Sequence, residues 1–333
     1  MEGVRIGIVC LGTVGASFYE LLAGNAAEIG RRLGVAIEVA AVAVRDPSRP
    51  RAVAQATRVV GGPREILDDP SIAVVVELVG GTGVAHEVVR GALERGKHVI
   101  TANKALLAAH GEELFALARS KGVELLFEAS VCGGVPIVKV LRESLLGNRI
   151  GRILGIVNGT TNYVLTRMSE EGLGYAEALA EAQAKGFAEA DPAADVSGVD
   201  AAQKIAILAS VAFGSWVDWR GVLCEGITRV TPRDIAFARS AGYVFKLVAA
   251  ATLVEGRPLA TVYPAMVPVD HPLAAVRGEF NAVMVDADMA GRQWMGGRDA
   301  ALAHVSGHHG GLKVFRQLDE KIASLGDDNA TAQ

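Results

Sequence analysis

Short apolar runs alternate with amphipathic stretches over the first 130 residues of the chain. Five strands are predicted, at residues 4–10, 35–44, 72–79, 97–101 and 123–129. Each run is continuously apolar rather than alternating, which is typical of parallel strands that helices cover on both faces. Helices are predicted between the strands, at about 16–27, 86–95 and 108–120. The pattern therefore predicts an α/β domain built on a doubly wound parallel sheet.

After about residue 130 the pattern changes, and a second α+β domain with its own sheet is predicted. Its helices are expected at 136–146, 160–186 and 198–213. Its strands are expected at 243–254, 259–267 and 281–289, of which the second and third should be antiparallel neighbours. A last helical pattern, at about 312–325, has one apolar face that we expect to pack on the first domain; the face comprises Phe315, Leu318, Ile322 and Leu325.

Composition narrows the class of protein. Half of the 333 residues are hydrophobic, so a large core can form. The formal net charge is −4 and aromatic residues make up 5%, which argues against nucleic-acid and anionic-membrane partners. No apolar run approaches the ~18 residues of a membrane span. The three cysteines (Cys10, Cys132 and Cys224) are widely spaced and form no CxxC motif, so we expect no disulfide framework, no zinc site and a reducing, cytoplasmic location.

The turn after the first strand reads CLGTVG, at residues 10–15. A Rossmann dinucleotide-binding turn has the form GxGxxG, and here Cys10 replaces the first glycine. Gly12 would let the backbone approach a pyrophosphate, and Gly15 would let the helix pack closely on the strand. The helix from Thr13 would then direct its N–H groups at phosphate. The alternative is an ordinary strand-to-helix turn.

Coenzyme preference is set at the end of the second strand. That strand ends in Arg45 and Asp46, with Arg49 and Arg51 nearby. A guanidinium suits the 2′-phosphate of NADP, whereas Asp46 keeps NAD possible. For Arg49 and Arg51 taken singly, a solvated basic loop is the better interpretation.

Charged residues mark two further places. Lys104 directly follows the fourth strand, at the edge where open α/β sheets bind ligands, although a surface lysine at a helix start is the alternative. Asp200 and Lys204 lie four residues apart and share one face of a predicted helix. Just upstream, segment 186–195 carries Glu189, Asp191 and Asp195. These groups would bind an amino-acid ammonium and move a proton, or else form a solvated charged loop.

Six segments of the chain, in order, resemble the homoserine dehydrogenase family over roughly residues 4–290. They are CLGTVG (10–15), VVELVGG (75–81), HVITANKALLA (98–108), FEASVCGGVPIV (127–138), GIVNGTTNYVLTRM (155–168) and GFAEADPAADVSGVDAAQKIAILA (186–209). The resemblance implies the reversible, NAD(P)-dependent interconversion of L-homoserine and L-aspartate 4-semialdehyde, in threonine and methionine biosynthesis.

The resemblance also implies residue roles. Lys204 matches the acid–base lysine and Lys104 a second active-site lysine, while Glu189 and Asp200 match residues that hold homoserine, with Asp195 beside them. The implied coenzyme contacts are Leu11, Gly12, Thr13, Val14, Gly80 and Gly186, with Lys104 near the nicotinamide. Arg45 joins them because of its place at the end of the second strand. The implied sodium ligands are Glu128 and the carbonyls of Val131, Gly133 and Val135. A hard cation suits these oxygens, although a plain strand-to-helix loop is the alternative.

The expected division is a nucleotide-binding domain over residues 1–130 and a catalytic and dimerisation domain over 131–304. A C-terminal helix at about 305–326 would complete the first domain. The sheet of the second domain is expected to pair across a two-fold axis in a homodimer, as in the family.

The end of the chain departs from the family, which has a closing loop of the form GxGAGxxPT before its last helix. Segment 294–311 stands there instead, and from Arg292 onward the resemblance fades. Either Gly296-Gly297 or Gly310-Gly311 serves as the loop, or an altered coding frame has left a foreign tail. The alternative function is therefore a nucleotide-binding, dimeric homologue with impaired or no catalysis. A metal site at His304, His308 and His309 is disfavoured, because no carboxylate matches their spacing.

Overall fold

The computed structural model describes residues 3–298. These residues belong to two compact units that divide in sequence between Ser130 and Val131, here called the N-terminal and C-terminal units. The helix expected at about 305–326, the Gly310-Gly311 pair and the three late histidines lie outside the described residues. Within residues 3–298, no helix combines the length and the apolar character that crossing a bilayer requires.

The N-terminal unit is built on a six-stranded parallel sheet. Its strands are β1 Val4–Val9, β2 Ile37–Ala43, β3 Arg58–Val60, β4 Val74–Glu77, β5 His98–Thr101 and β6 Leu125–Leu126. Its helices are α1 Thr13–Leu33, α2 Arg64–Leu67, α3 Gly83–Glu94 and α4 Lys104–Lys121. The strand order β3-β2-β1-β4-β5-β6 confirms the doubly wound sheet. Successive strands are added to one side of β1 as far as β3 and to its other side from β4 onward. Such sheets bind ligands at the carboxyl ends of the strands where this order reverses, here between β1 and β4.

Two elements of this unit were not predicted, and several boundaries were wrong. Strand β3 has three residues and helix α2 has four, so neither shows a period in the sequence. Helix α1 runs past the predicted end because Ile29 is buried, and it stops where Gly34 adopts a left-handed φ of 67°. The predicted strand 123–129 shortens to Leu125–Leu126 and is followed by a 3-10 turn at Glu128–Ser130.

The core of this unit lies around the central strand β1. Ile6 and Ile8 are fully buried, together with Val74 and Val76 of the neighbouring β4. Phe18 of α1 is also fully buried and packs in the same cluster. Burial of side chains of this size stabilises a fold by about 1.5–3 kcal/mol each. The sheet is thus a rigid base for the turns at its carboxyl edge.

The C-terminal unit contains a mixed six-stranded sheet with helices. Its strands are β7 Ile150–Ile156, β8 Leu223–Cys224, β9 Tyr243–Val254, β10 Arg257–Pro268, β11 Phe280–Ala287 and β12 Gly291–Arg298. Its helices are α5 Ile137–Lys139, which continues into a π-helical turn at Val140–Ser144, α6 Gly159–Glu171, α7 Tyr175–Ala184, α8 Ala193–Val196, α9 Val199–Phe213 and α10 Pro232–Ser240. The strand order is β12-β11-β7-β9-β10-β8, and the pairs are antiparallel except β8 with β10.

The expectation that the second and third predicted strands are neighbours was wrong. β10 forms a hairpin with β9 through a tight turn at Glu255-Gly256, where both residues have positive φ. β11 instead pairs with β7 and β12, because the connection after β10 is long enough to cross the sheet. The predicted helix 160–186 is also two helices, since Gly172 ends α6 in a left-handed conformation.

Gly296 and Gly297 do not form a closing loop. Both lie within β12, where they pair with Ala282 and Asn281 of β11. A Cβ at position 297 would lie 3.3 Å from the carbonyl oxygen of Gly134, so the glycine permits a close backbone approach inside this unit. Of the two glycine pairs considered from the sequence, this one is therefore excluded as a loop.

Candidate active site

The turn between β1 and α1 holds Cys10 in a backbone conformation that favours glycine. Cys10 has a φ of 83°, which lies in the left-handed region that favours glycine. A residue with a side chain adopts this conformation at a cost of about 1 kcal/mol relative to glycine. Gly15 allows α1 to pack against the end of β1, because a Cβ there would lie 2.3 Å from the carbonyl oxygen of Cys10. Gly12 caps α1 without a side-chain hydrogen bond, so the first N–H groups of the helix remain available to an anion.

A buried carboxylate joins the turn that follows β4 to the end of β5. Glu77 is the last residue of β4 and is fully buried. Its Oε1 accepts hydrogen bonds from the backbone N–H of Val79 at 2.6 Å and of Gly80 at 3.3 Å. Its Oε2 accepts one from the Thr101 hydroxyl at 2.6 Å. The carboxylate therefore holds the Gly80 turn beside the end of β5.

Asn103 extends this network to the start of α4. Its Oδ1 accepts from the N–H of Leu106 at 3.0 Å, which caps the helix, and its Nδ2 donates to the carbonyl of Gly81 at 2.7 Å. Lys104 is the next residue, half-buried at the first position of α4. The structure thus places Lys104 at the carboxyl edge of the sheet. Glu77 and Asn103 were missed from the sequence, although an acidic residue in an apolar strand and an Asn before a helix were visible signals.

In the basic loop after β2, some side chains hold the loop together by hydrogen bonds and one guanidinium remains available to a ligand. Asp46 accepts hydrogen bonds from the hydroxyl of Ser48 at 2.5 Å and from its N–H at 3.0 Å, which lowers the pKa of the Asp46 carboxyl. Arg51 donates to the backbone carbonyls of Asp46 and Arg49, so it holds the loop. Arg45 is exposed and forms no hydrogen bond or ion pair within residues 3–298, which leaves its guanidinium open to a ligand.

The C-terminal unit contains a buried Asp–Lys pair. Nζ of Lys204 lies 2.8 Å from Oδ2 of Asp200, and the two side chains are only 10% and 9% exposed. Nζ also donates to the carbonyl of Val157 at 2.7 Å. Both residues lie on α9, which begins after Gly198 in a left-handed conformation. Exposed pairs of this spacing contribute little to stability, whereas a buried pair must be held by further hydrogen bonds.

Those further hydrogen bonds come from the junction of β7 and α6. Nδ2 of Asn158 donates to Asp195 at 2.7 Å and to Asp200 at 2.9 Å. Oδ1 of Asn158 accepts from the N–H of Thr161 at 2.8 Å, which caps α6. The Thr160 hydroxyl lies 3.2 Å from Oδ2 of Asp195. Asp195, Asp200 and Lys204 therefore form one cluster, here called the buried cluster, in which Asp200 and Lys204 are buried and Asp195 is half-buried. Asn158 and Thr160, which were not singled out from the sequence, organise it.

Other predicted residues of this region lie outside the cluster. Glu189 is exposed, and within the described part of the chain its carboxylate makes no hydrogen bond or ion pair. Asp191 accepts from the N–H of Ala193 at 3.1 Å, at the start of α8. Gly186 has a φ of 75° and follows α7. The solvated-loop interpretation therefore fits Glu189 and Asp191 but not the buried cluster.

The four proposed sodium ligands are divided between the units. Glu128 is buried and belongs to the N-terminal unit, while Val131, Gly133 and Val135 are buried and belong to the C-terminal unit. Cys132 and Gly133 have consecutive positive φ values of 55° and 54°, which turn the chain sharply. The carbonyl of Val135 already accepts from the N–H of Ile137 at 2.9 Å, so it has one lone pair left for a cation.

The pKa of the Asp195 carboxyl is raised above its usual value. Burial raises the pKa first and the nearby Asp200 carboxylate second, while Asn158, Lys204 and Thr160 act in the opposite direction. A raised folded-state pKa means that this carboxyl favours folding at pH values below its unfolded pKa of about 3.9. That contribution is lost as the pH rises through the folded-state pKa.

We expect Asp195→Asn to increase the free energy of unfolding at pH 7, because the amide carries no charge and still pairs with Asn158 and Thr160. The gain should shrink as the pH falls through the folded-state pKa of Asp195, where the carboxyl of the parent becomes protonated. Urea denaturation at several pH values measures this. Asp191→Asn, at an exposed position, is the control and should show no such pH-dependent gain. An increase in the free energy of unfolding that does not depend on pH would contradict a raised pKa for Asp195.

The comparisons with known proteins show the family of the chain. The family model for homoserine dehydrogenase matches residues 136–306, and the model for its NAD-binding domain matches residues 11–128. The first match runs past Arg292, so the resemblance does not end there as expected from the motifs.

Individual relatives agree with the family models. The homoserine dehydrogenase of Pseudomonas aeruginosa is 47% identical over 291 residues, which cover 87% of this chain and 67% of that protein. A homoserine dehydrogenase structure from Thiobacillus denitrificans matches with a TM-score of 0.89 and 39% identity, over 98% of this chain and 75% of that one. A hyperthermophilic archaeal homoserine dehydrogenase in complex with NADPH matches with a TM-score of 0.79 and 28% identity, over 97% of this chain and 98% of that one. The chain belongs to the homoserine dehydrogenase family.

Proposed function

We propose that the chain catalyses the reaction of its family, the reversible NAD(P)-dependent interconversion of L-homoserine and L-aspartate 4-semialdehyde. The observation that carries the proposal is the buried cluster of Asp195, Asp200 and Lys204, which combines a proton donor with carboxylates suited to an amino-acid ammonium group. The relatives favour this enzyme over a nucleotide-binding homologue without catalysis, because they are dehydrogenases and the family match continues to residue 306.

The proposed roles follow from the charges. In the reduction, Lys204 as an ammonium donates a proton to the aldehyde oxygen while carbon receives a hydride; in the oxidation, its neutral amine takes the hydroxyl proton. The coenzyme supplies and accepts that hydride when bound. Hydrogen bonds to Val157 and Asp200 fix the position of Nζ. Asp195 and Asp200 bind the substrate ammonium, and Lys104 is assigned as the second active-site lysine. Glu189 is assigned to the substrate from the resemblance alone, because its side chain is exposed and lies outside the cluster.

Removing the proton donor should abolish turnover. We expect Lys204→Ala to lower kcat by about 100- to 10,000-fold, the range of general acid–base catalysis, with coenzyme affinity unchanged. The alanine leaves Asp200 buried without its cation, at a cost of about 3–5 kcal/mol. Lys204→Arg keeps a cation there but does not release a proton, so it should be equally inactive while remaining folded.

Steady-state rates with homoserine and NADP, together with a coenzyme titration, measure this. Lys185→Ala, which removes an exposed lysine of the same unit, is the control and should keep parental activity. Substantial turnover by either Lys204 variant would contradict the assigned role. Coenzyme binding without turnover in the parent itself would instead support the noncatalytic homologue.

The coenzyme site is assigned to the carboxyl edge of the parallel sheet. The turn at residues 10–15 would bind the pyrophosphate, and the proposed contacts are Leu11, Gly12, Thr13, Val14, Gly80, Lys104 and Gly186. Arg45 follows the end of β2, where its available guanidinium would bind the 2′-phosphate of NADP. NADP is therefore the preferred coenzyme, with NAD the weaker one.

Arg45→Ala should raise the KM for NADP by roughly 10-fold, because a charge-assisted hydrogen bond is worth about 1.5–3 kcal/mol. The KM for NAD, which lacks the phosphate, should be unchanged. Initial rates with each coenzyme measure the effect, and Arg49→Ala, in the same loop, is the matched control. Equal loss with both coenzymes would show that Arg45 does not discriminate between them.

A sodium ion is proposed at Glu128 and the carbonyls of Val131, Gly133 and Val135. The support is the chemistry of the donors, since one carboxylate and several carbonyls suit a hard monovalent cation. Activity that does not change when sodium is replaced by choline at constant ionic strength would count against it.

A homodimer is proposed through the sheet of the C-terminal unit. Cross-strand pairing places Leu259, Tyr263 and Trp294 on one face of that sheet, and all three are at least 40% exposed. A second copy would cover this face across a two-fold axis. Sedimentation equilibrium tests the proposal, since a monomeric parent would exclude it. A reducing, cytoplasmic location is also proposed, because the three cysteines are widely spaced in the sequence and form no CxxC motif.

A further inference from the structure

Helices α3 and α4 of the N-terminal unit bring together two imidazoles and a carboxylate. His86 lies in the first turn of α3, and His110 and Glu113 lie one turn apart on α4. The imidazole rings of His86 and His110 have centroids 4.2 Å apart and a tilt of 31°. Ligand atoms of the three side chains all lie within 4.8 Å of one another. Among residues 3–298 this is the one group of three or more metal-binding side chains so arranged.

The distance between His86 and Glu113 fits a shared metal better than a hydrogen bond. Nε2 of His86 lies 3.4 Å from Oε2 of Glu113. The same nitrogen is buried and has no partner at hydrogen-bond geometry within the described residues. Two ligands at about 2.0–2.1 Å from a tetrahedral zinc ion lie roughly 3.3 Å apart. Both atoms are therefore spaced to bind one ion between them.

The charges around His86, His110 and Glu113 are compatible with a bound divalent cation. The other carboxylate oxygen of Glu113, Oε1, lies 3.8 Å from Nε of Arg90. Arg90 is itself paired with Glu94 at 3.0 Å, which offsets its positive charge. Two neutral imidazoles and one carboxylate carry a single negative charge, and this His₂Glu set is a common donor set of zinc.

We propose that His86, His110 and Glu113 form a binding site for zinc or a similar late first-row divalent cation. Three protein ligands leave the fourth position to water. The ion would cross-link α3, which starts beside the Gly80-Gly81 turn, to α4, which starts at Lys104. This site is separate from the buried cluster of Asp195, Asp200 and Lys204, and it does not depend on the proposed function.

The test is a titration of EDTA-treated, full-length protein with Co²⁺ and Zn²⁺. The parent for the test carries alanines at His304, His308 and His309, so that these three imidazoles contribute nothing to the titration. We expect one equivalent per chain, the intense visible bands of tetrahedral Co²⁺ and a higher Tm with Zn²⁺. His86→Ala or His110→Ala should abolish the bands. Glu113→Gln should weaken Zn²⁺ binding at least about 10-fold, since even the loss of an indirect partner has that effect.

Glu112→Gln is the matched control, because Glu112 is the exposed neighbour of Glu113 on the same helix, and it should bind metal like the parent. Glu113 is exposed as well, so its variant should fold even if a histidine variant does not. The proposal is overturned if the parent for the test binds no Co²⁺. It is equally overturned if Glu113→Gln and Glu112→Gln bind Zn²⁺ with the same affinity.

Discussion

Burial of the Lys204–Asp200 ion pair is the constraint on which the C-terminal unit depends. Removing each charge from water costs about several kcal/mol, which mutual attraction offsets only if other hydrogen bonds complete the site. The Val157 carbonyl and the Asn158 amide provide them, and both lie where β7 leads into α6. One amide group serves two carboxylates, since Asn158 donates to Asp195 as well. The positions of β7, α6 and α9 are therefore coupled through polar atoms as well as through apolar packing.

The N-terminal unit uses a related solution without an ion pair. Glu77 is satisfied by backbone N–H groups and by the Thr101 hydroxyl. The N–H groups belong to the turn after β4 and the hydroxyl to the last residue of β5, so the carboxylate couples that turn to the neighbouring strand. In both units, buried polar groups at strand ends define the geometry of the loops where ligands are proposed to bind. The apolar core supports these loops but does not determine their detailed conformation.

The long apolar runs were predictable from the sequence, because continuous hydrophobicity reflects burial on both faces of a strand. The Asp200–Lys204 pair was predictable from its spacing, but its burial was not, since burial depends on α6 and β7. Asn158 and Glu77 were missed because each acts through partners far along the chain: Asn158 and Asp200 are 42 residues apart, and Glu77 and Thr101 are 24 apart. The pairing of β11 with β7 was equally invisible, since no local signal selects one distant strand over another.

The pairing of β7 has a consequence for the order of folding. The β9–β10 hairpin closes through a two-residue turn and needs little loop-closure entropy. β7 instead pairs with β11, where Arg152 and Asp286 are 134 residues apart. The polar cluster around Lys204 is made from a much shorter stretch, and Lys204 and Val157 are 47 residues apart. During synthesis the charged groups therefore emerge from the ribosome well before the strand that completes the sheet beside them. The edge of β7 stays unpaired in that interval, which is when a chaperone would protect the chain most from aggregation.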